Sequence, residues 1–404
     1  MHTIKVQAAA LALLGVSTTA RAAAHQTDYV QRIQDQAFSA LQEAEPTAVL
    51  KRNSTCRLED AAVRRNWEAL SGDQRKEYIR AVKCLLSSPA KTDAALDTGA
   101  RVRHEDFAAQ HINQTLEVHV TGNFLSWHRH YIWSYEKALR DECGYTGYLP
   151  YWNWFAYQDD LRKSPVFDGS ETSMGSDGMF LAHNGSTGGA GLHIPSGLGG
   201  GCIESGPFAK YLSYSSQLKD LMVLTFASMT ANLGPVQPQQ DGMIGVGVAN
   251  KLRYNPHCVS CDLSSWLATR IYTEEALLNI TIRDTAKDIA GFQTRIEIGN
   301  GVFPGVHAGG HQTLSGSNSD LYSGVVDPAF YLHHSMVDRV WWLWQALHLD
   351  QAKTISGTIT FGNRPPSRNA TLDDPIELPF LGVEPTTIGN LLDTLDGPYC
   401  YVYA

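Results

Sequence analysis

Residues 111–136 read HINQTLEVHVTGNFLSWHRHYIWSYE, and they set His111, His119 and His128 at intervals of eight and nine residues beside an aromatic-rich helical pattern. A second cluster answers this one. Residues 305–311, GVHAGGH, place His307 and His311 four apart, on one face of a helix. Residues 327–344, DPAFYLHHSMVDRVWWLW, add His333 and His334. Three histidines and three more point to two metal ions. Neutral imidazole suits Zn, Cu, Fe and Ni. Paired iron or manganese sites in helical bundles recruit glutamates through Glu-x-x-His, which is absent here.

At these residues the chain resembles the tyrosinase and catechol oxidase family, whose members hold a type 3 dicopper site. The first signature is His119 followed by Phe124-Leu125-Ser126-Trp127-His128-Arg129 and Glu136. The second is Asp327-Pro328-Ala329-Phe330-Tyr331-Leu332-His333-His334 with Asp338 and Arg339. The resemblance runs from about Cys56 to the last residue. It implies a mainly α fold, with a four-helix bundle holding a dinuclear copper site, long loops and a few short strands. Carried over residue by residue, copper A takes His111, His119 and His128, and copper B takes His307, His311 and His334. Dioxygen is then the co-substrate, and an o-diphenol is oxidised to an o-quinone. Some members also hydroxylate monophenols or act on o-aminophenols.

Two positions depart from patterns in the family. Glu117 stands where many fungal members have a cysteine cross-linked to the second copper-A histidine, so that bond cannot form. Ala308 follows the first copper-B histidine, where strong monophenolases often carry Asn. In one model for the family that Asn and a glutamate hold a water that deprotonates the phenol, and Glu297, ten residues before His307, is the candidate glutamate. The reading is therefore an o-diphenol or o-aminophenol oxidase with weak monophenol hydroxylation. The alternatives are a full tyrosinase, a haemocyanin-like oxygen carrier and a zinc hydrolase. A zinc hydrolase wants a carboxylate base, as in His-Glu-x-x-His, and the chain offers Ala308-Gly309-Gly310 instead. Asp338, one turn after His334, is placed to reach a neighbouring ligand's ring N–H, with an ion pair to Arg339 as the ordinary reading. Leu321 is the gate residue by family position.

Around this centre, 404 residues with 43% hydrophobic and 18% charged content read as globular. The two histidine clusters must meet in space, so residues 23–404 are expected to form a single catalytic domain. The Tyr401-Val402-Tyr403 motif closes that domain in the family, and a C-terminal shielding domain is not expected. Residues 1–22 carry Lys5, an apolar run from Val6 to Val16 and small residues around Ala20-Arg21-Ala22, the pattern of a secretory signal. No other run approaches the ~20 apolar residues of a membrane span. The expectation is an exported, extracellular protein acting on a small phenolic substrate. With a net charge of −9 and no basic cluster, neither nucleic acid nor an anionic membrane is an expected partner. Sequons at Asn53, Asn184, Asn279 and Asn369 are expected glycan sites; a fifth, at Asn113, lies beside His111 and is the weaker candidate.

The spacing predicts helix from Asp60 to Leu86, restarted by a capping box at Ser71-Gly72-Asp73-Gln74. Further helices are predicted over 127–143, over 266–279 and after Asp327-Pro328. Glu136, two turns beyond His128, has a buried role near the site, whereas His104 and His130 read as structural. Gly- and Ser-rich stretches over 164–206 and 232–262 are long loops, with His183 and His193 read as exposed. After Gln345 a Pro- and Thr-rich tail has short alternating stretches such as residues 354–361, read as a few strands or a loop packed on the helices. Seven cysteines allow up to three disulfides with one left over, and connectivity stays open.

Overall fold

The apolar pattern after Asp327 becomes the axis of the molecule. A computed structural model describes residues 28–48, 56–96, 98–209 and 228–404; the expected leader and Asn53 lie outside them. Among the described residues the helices are α1 (Asp28–Ala48), α2 (Gly72–Ser87), α3 (Arg103–Val118), α4 (Phe124–Asp141), α5 (Ser265–Ile271), α6 (Glu274–Thr281), α7 (Ile289–Glu297), α8 (Val306–Leu314) and α9 (Ala329–Leu347). α9 is buried on every face from Ala329 to Ala346 and packs against α1, α4, α6 and α8. A helix of that kind belongs at the centre of a core. Its polar side chains must therefore find partners inside the protein. Gln345 meets Arg129 and the carbonyls of Ala352 and Leu392, and Arg339 donates to Gln34.

The histidines ride on α3, α4, α8 and α9, the mainly α bundle that was expected. Strands are short and occur in pairs. Residues Ala62–Arg64 pair in parallel with Tyr401–Tyr403, while Pro375–Leu378 and Val383–Thr387 form an antiparallel pair. The two Gly-rich stretches contain two-residue to four-residue strands stitched together by the Cys202–Cys258 disulfide. Cys84–Cys143 joins α2 to the end of α4, Cys56–Cys400 lies beside the pairing of 62–64 with 401–403, and Cys261 is the free, buried thiol. No helix among the described residues is long and apolar enough to cross a membrane.

Several local readings are corrected. The capping box is present, with Ser71 Oγ accepting from Gln74 N and Gln74 returning the bond, but the α-helix begins only there, after single 3-10 turns at Leu58–Asp60 and Trp67–Ala69. Before it, residues 62–64 are strand, because their partner 401–403 lies at the far end of the chain, beyond any local pattern. The helix expected over 266–279 is two, broken at Tyr272 and restarted by Thr273, whose side chain caps Ala276 N. In the tail, residues 354–361 take the loop alternative and the strands fall after residue 374. His183 is not exposed: its ring is buried and lies 3.1 Å from the Asp262 carboxylate.

Candidate metal centre

The end of α3 and the start of α4 position the first three histidines. His111 lies inside α3, His119 takes an extended conformation as the helix ends, and His128 sits on the second turn of α4. Between them Val120 adopts φ 51°, a left-handed conformation strained for a β-branched residue. It is held from both sides: its N–H donates to Glu297 Oε1 at 2.7 Å and its carbonyl accepts from Gly362 N.

Each of these three rings has the same orientation device. The Nδ1 of His111 lies 2.7 Å from the Tyr322 carbonyl, that of His119 2.8 Å from Thr115 O, and that of His128 2.8 Å from Phe124 O. A carbonyl only accepts, so each Nδ1 carries the proton and each Nε2 presents a lone pair. The Nε2 atoms of His111 and His128 are buried without a partner. Buried polar atoms left unpaired in this way call for a ligand.

The second group comes from α8 and α9. His311 Nδ1 donates to Asn318 Oδ1 at 2.8 Å, and the amide is oriented by Asn318 Nδ2 donating to Asp327 at 3.2 Å. His311 Nε2 then points its lone pair at His307 Nε2, 3.2 Å away, and His334 Nε2, 3.0 Å away. Nitrogen–metal bonds of about 2 Å in a tetrahedral set put nitrogens roughly 3.3 Å apart, so the spacing fits a metal ion. His334 Nδ1 has no partner, and its ring is held flat between Phe330 at 4.1 Å and His128 at 4.7 Å.

Ligand atoms within each group lie within 4.8 Å of one another, and the groups face each other, with His119 and His307 rings 6.0 Å apart. Burial holds all six imidazoles below the ordinary histidine value, with neighbouring imidazoles adding to it at every one but His311, so the donor set is neutral. His333 also lies within reach of the second group. Its nitrogens are already engaged, however: Nδ1 accepts from Trp154 Nε1 and Nε2 donates to the His307 carbonyl at 2.9 Å. It braces His307 and has no nitrogen left for a metal.

Asp338 is not beside the histidines. It accepts from Arg129 Nε, Arg64 Nη1 and the hydroxyls of Tyr401 and Tyr403. Burial pushes its carboxyl up, but Arg129 and Arg64 overcome this and hold it below the usual range. The expected contact to a ring N–H and the expected Arg339 pair are both replaced by this network. Glu136 belongs to it too, pairing with Arg64 at 3.0 Å and accepting from Leu149 N. Its role is to fasten strand to bundle, away from the histidines. Glu297 is at the site's edge, tied to the residue after His119, and burial pushes its carboxyl up to about 8. Ala308 and His311 are half-exposed and Leu321 is exposed. Sequence reasoning missed the Asn318 side chain and the Tyr322 carbonyl, because a group that orients a histidine from a neighbouring loop leaves no spacing signal.

Comparison with known proteins gives a consistent picture. Residues 101–347 match the family model described as the common central domain of tyrosinase. Tyrosinase P of Aspergillus terreus is 36% identical over 359 residues, 86% of this chain and 93% of that protein. The N-acetyl-6-hydroxytryptophan oxidase of Emericella nidulans is 34% identical over 368 residues, again 86% and 93%. Among solved structures, a variant polyphenol oxidase from Thermothelomyces thermophila superposes with a TM-score of 0.82 at 34% identity, covering 94% of this chain and 98% of that one.

Proposed function

This chain belongs to the tyrosinase family of copper oxidoreductases, and from that premise we propose that it oxidises o-diphenols, and o-aminophenols, to o-quinonoid products with dioxygen, hydroxylating monophenols weakly. The ligand set we propose is His111, His119 and His128 for one copper and His307, His311 and His334 for the other. The observation that carries this reading is the set of neutral imidazoles, all buried but the half-exposed His311, whose Nε2 atoms converge in two facing groups while the Nδ1 atoms of His111, His119, His128 and His311 are occupied. Copper so held by these six histidines would supply one-electron chemistry at each ion and the reduction of dioxygen.

The protein's own residues account for the rest. Backbone carbonyls and Asn318 lock the rings, and Phe124 and Phe330 exclude water from their flanks. Preference among phenols is a matter of proton acceptance. A phenol near pKa 10 must lose its proton to bind, and a placed base is worth about 100- to 10,000-fold. Glu297 is a poor base at neutral pH: burial keeps it largely protonated, and one oxygen accepts the Val120 N–H. Ala308 offers a methyl group where an amide would help hold a water. An o-diphenol needs no hydroxylation and suffers less from this lack. The second reading, a full tyrosinase, draws on the relatives named above, one of which is called a tyrosinase.

The test is initial rates on a matched monophenol, o-diphenol and o-aminophenol, in the wild type and in Ala308→Asn. The monophenol-to-diphenol ratio should be low and should rise in the variant. A wild type that hydroxylates monophenols as fast as it oxidises catechols overturns the preference. Three disulfides suit an exported chain, and we propose secretion with glycans at the exposed Asn184 and Asn369. Mass spectrometry of material from a eukaryotic host checks it; an intact Met1 and bare sequons refute it.

A further inference from the structure

Four oxidisable rings stand nearly parallel in series from the histidine cluster into the core. Trp127, Tyr131 and Tyr135 recur every four residues along α4, one face of the helix, and Tyr331 comes from α9. The Trp127 ring lies 4.8 Å from His128 and 6.0 Å from His111. Trp127 and Tyr131 stack at 4.8 Å and 13°, Tyr131 and Tyr331 at 6.1 Å and 18°, and Tyr331 and Tyr135 at 3.4 Å and 10°. All four are buried to within 1%. Phe107, by contrast, meets Tyr131, Tyr135 and Tyr331 edge-on and walls the stack.

Packing alone would be served by phenylalanine, since a buried hydroxyl is costly unless it is bonded. The bonds differ in kind. Tyr131 donates to the Phe107 carbonyl at 2.8 Å, and a carbonyl cannot take the proton away. Tyr135 faces His104 Nδ1 at 3.2 Å. His104 Nε2 lies 3.3 Å from the Val326 carbonyl, so Nε2 carries the ring's proton and Nδ1 is a lone pair that accepts from Tyr135. His104 is 1% exposed and far down the helix from His111, with no metal-ligating role. Burial keeps it neutral, pushed down to about 4.

We propose that Tyr135 and His104 form a redox-active tyrosine–histidine pair that draws oxidising equivalents away from the histidine cluster when no phenol is there to consume them. The inference rests on the copper reading of that cluster. The oxidant is the copper centre after it has met dioxygen or hydrogen peroxide. One electron leaves Tyr135 through Tyr331, Tyr131 and Trp127, reducing the centre by one electron. The Tyr135 O–H bond breaks as the proton bonds to His104 Nδ1, leaving a neutral phenoxyl. A one-electron reductant of the thiol class returns the electron from outside, and the proton goes back to the oxygen. The outward route is marked by Tyr78, within electrostatic reach of Tyr135 and Tyr331. Its ring is 5.6 Å from Tyr145, whose hydroxyl donates to the carbonyl of the exposed Tyr148.

The experiment treats copper-loaded protein with hydrogen peroxide in the absence of phenol, and follows it by freeze-quench electron paramagnetic resonance and by peptide mass spectrometry. Wild type should give a tyrosyl radical whose spectrum narrows when tyrosine is ring-deuterated. Tyr135→Phe keeps the stack and removes only the O–H. It should hold full copper and oxidise o-diphenol at the wild-type initial rate, yet lose the radical and show a severalfold rise in oxidised His111, His119 and His128. His104→Asn should lower the radical yield in the same direction. No organic radical in wild type, an unchanged radical in Tyr135→Phe, or unchanged histidine oxidation would overturn the proposal while leaving the diphenol oxidase reading intact. A chain that takes up no copper would remove both.

Discussion

Replacing Asn318 by Leu isolates what an orienting hydrogen bond contributes to metal binding. His111, His119 and His128 are oriented by backbone carbonyls, which no substitution can delete. His311 is oriented by a side chain, Asn318 Oδ1 at 2.8 Å, and Asn318 is 1% exposed, so Leu fills a similar volume. The buried His311 N–H then has no acceptor, and the ring is free to turn or to present the wrong tautomer. Loss of such a partner costs typically 10- to 100-fold in metal affinity, or about 1.4–2.8 kcal/mol. Leu also takes a donor from Asp327, which burial already pushes up to about 6; that carboxyl responds by holding its proton, so no bare charge is left. Competition with a Cu(I) chelator should show one site weakened 10- to 100-fold and the other unchanged. Asn318→Asp, which restores an oxygen acceptor for the ring N–H, should recover most of the loss. Equal affinity at both sites in Asn318→Leu, or equal weakening of both, would refute the reasoning.

Other outcomes follow from the same structure. His119→Ala or His334→Ala should bind about one copper fewer per chain, whereas His130→Ala, His183→Ala and His333→Ala keep two, as metal analysis will show. Glu68 carries two buried carboxylate oxygens with no hydrogen-bond partner from another residue, and burial raises it from the ordinary value to about 7. Its folded state therefore holds the proton more tightly than the unfolded chain, and stability present below about pH 4.5 is lost as pH rises through 7. Glu68→Gln should match wild type near pH 4 and exceed it by up to about 3 kcal/mol at pH 8 in urea unfolding; a constant difference would refute the burial account. Removing the Cys56–Cys400 bond by a double Ala substitution should cost about 2–5 kcal/mol, read as a lower midpoint in the same assay.

The centre was more legible than its supports. Histidine spacing, the Ser71–Gln74 capping box and the helical face read over residues 127–143 are local patterns, fixed by 3.6-residue geometry and by rotation about a few bonds. Asp338 misled because its partners Arg64 and Tyr403 lie 274 and 65 residues away, and no local rule pairs them. The strand at 62–64 was hidden for the same reason, its apolar spacing imitating a helix. His183 looked exposed because glycine-rich composition signals a loop but not that Asp262 folds the loop back onto itself through the N–H groups of Gly197 and Gly199.

The pairing of residues 62–64 with 401–403 carries a consequence for biosynthesis. Ribosomes make a chain from its first residue onward, so Tyr401 and Tyr403 emerge after every histidine of the centre. Until they arrive, Asp338 lacks two of its four hydrogen-bond partners, and Arg64 lacks the Tyr401 ring that lies 3.7 Å from its guanidinium. Joining ends so far apart is slow, because the entropy of closing a long loop is lost before the contact forms. The bundle is thus clasped only once residues 401–403 have been made, and copper delivered to the growing chain before then would meet histidines not yet held in place.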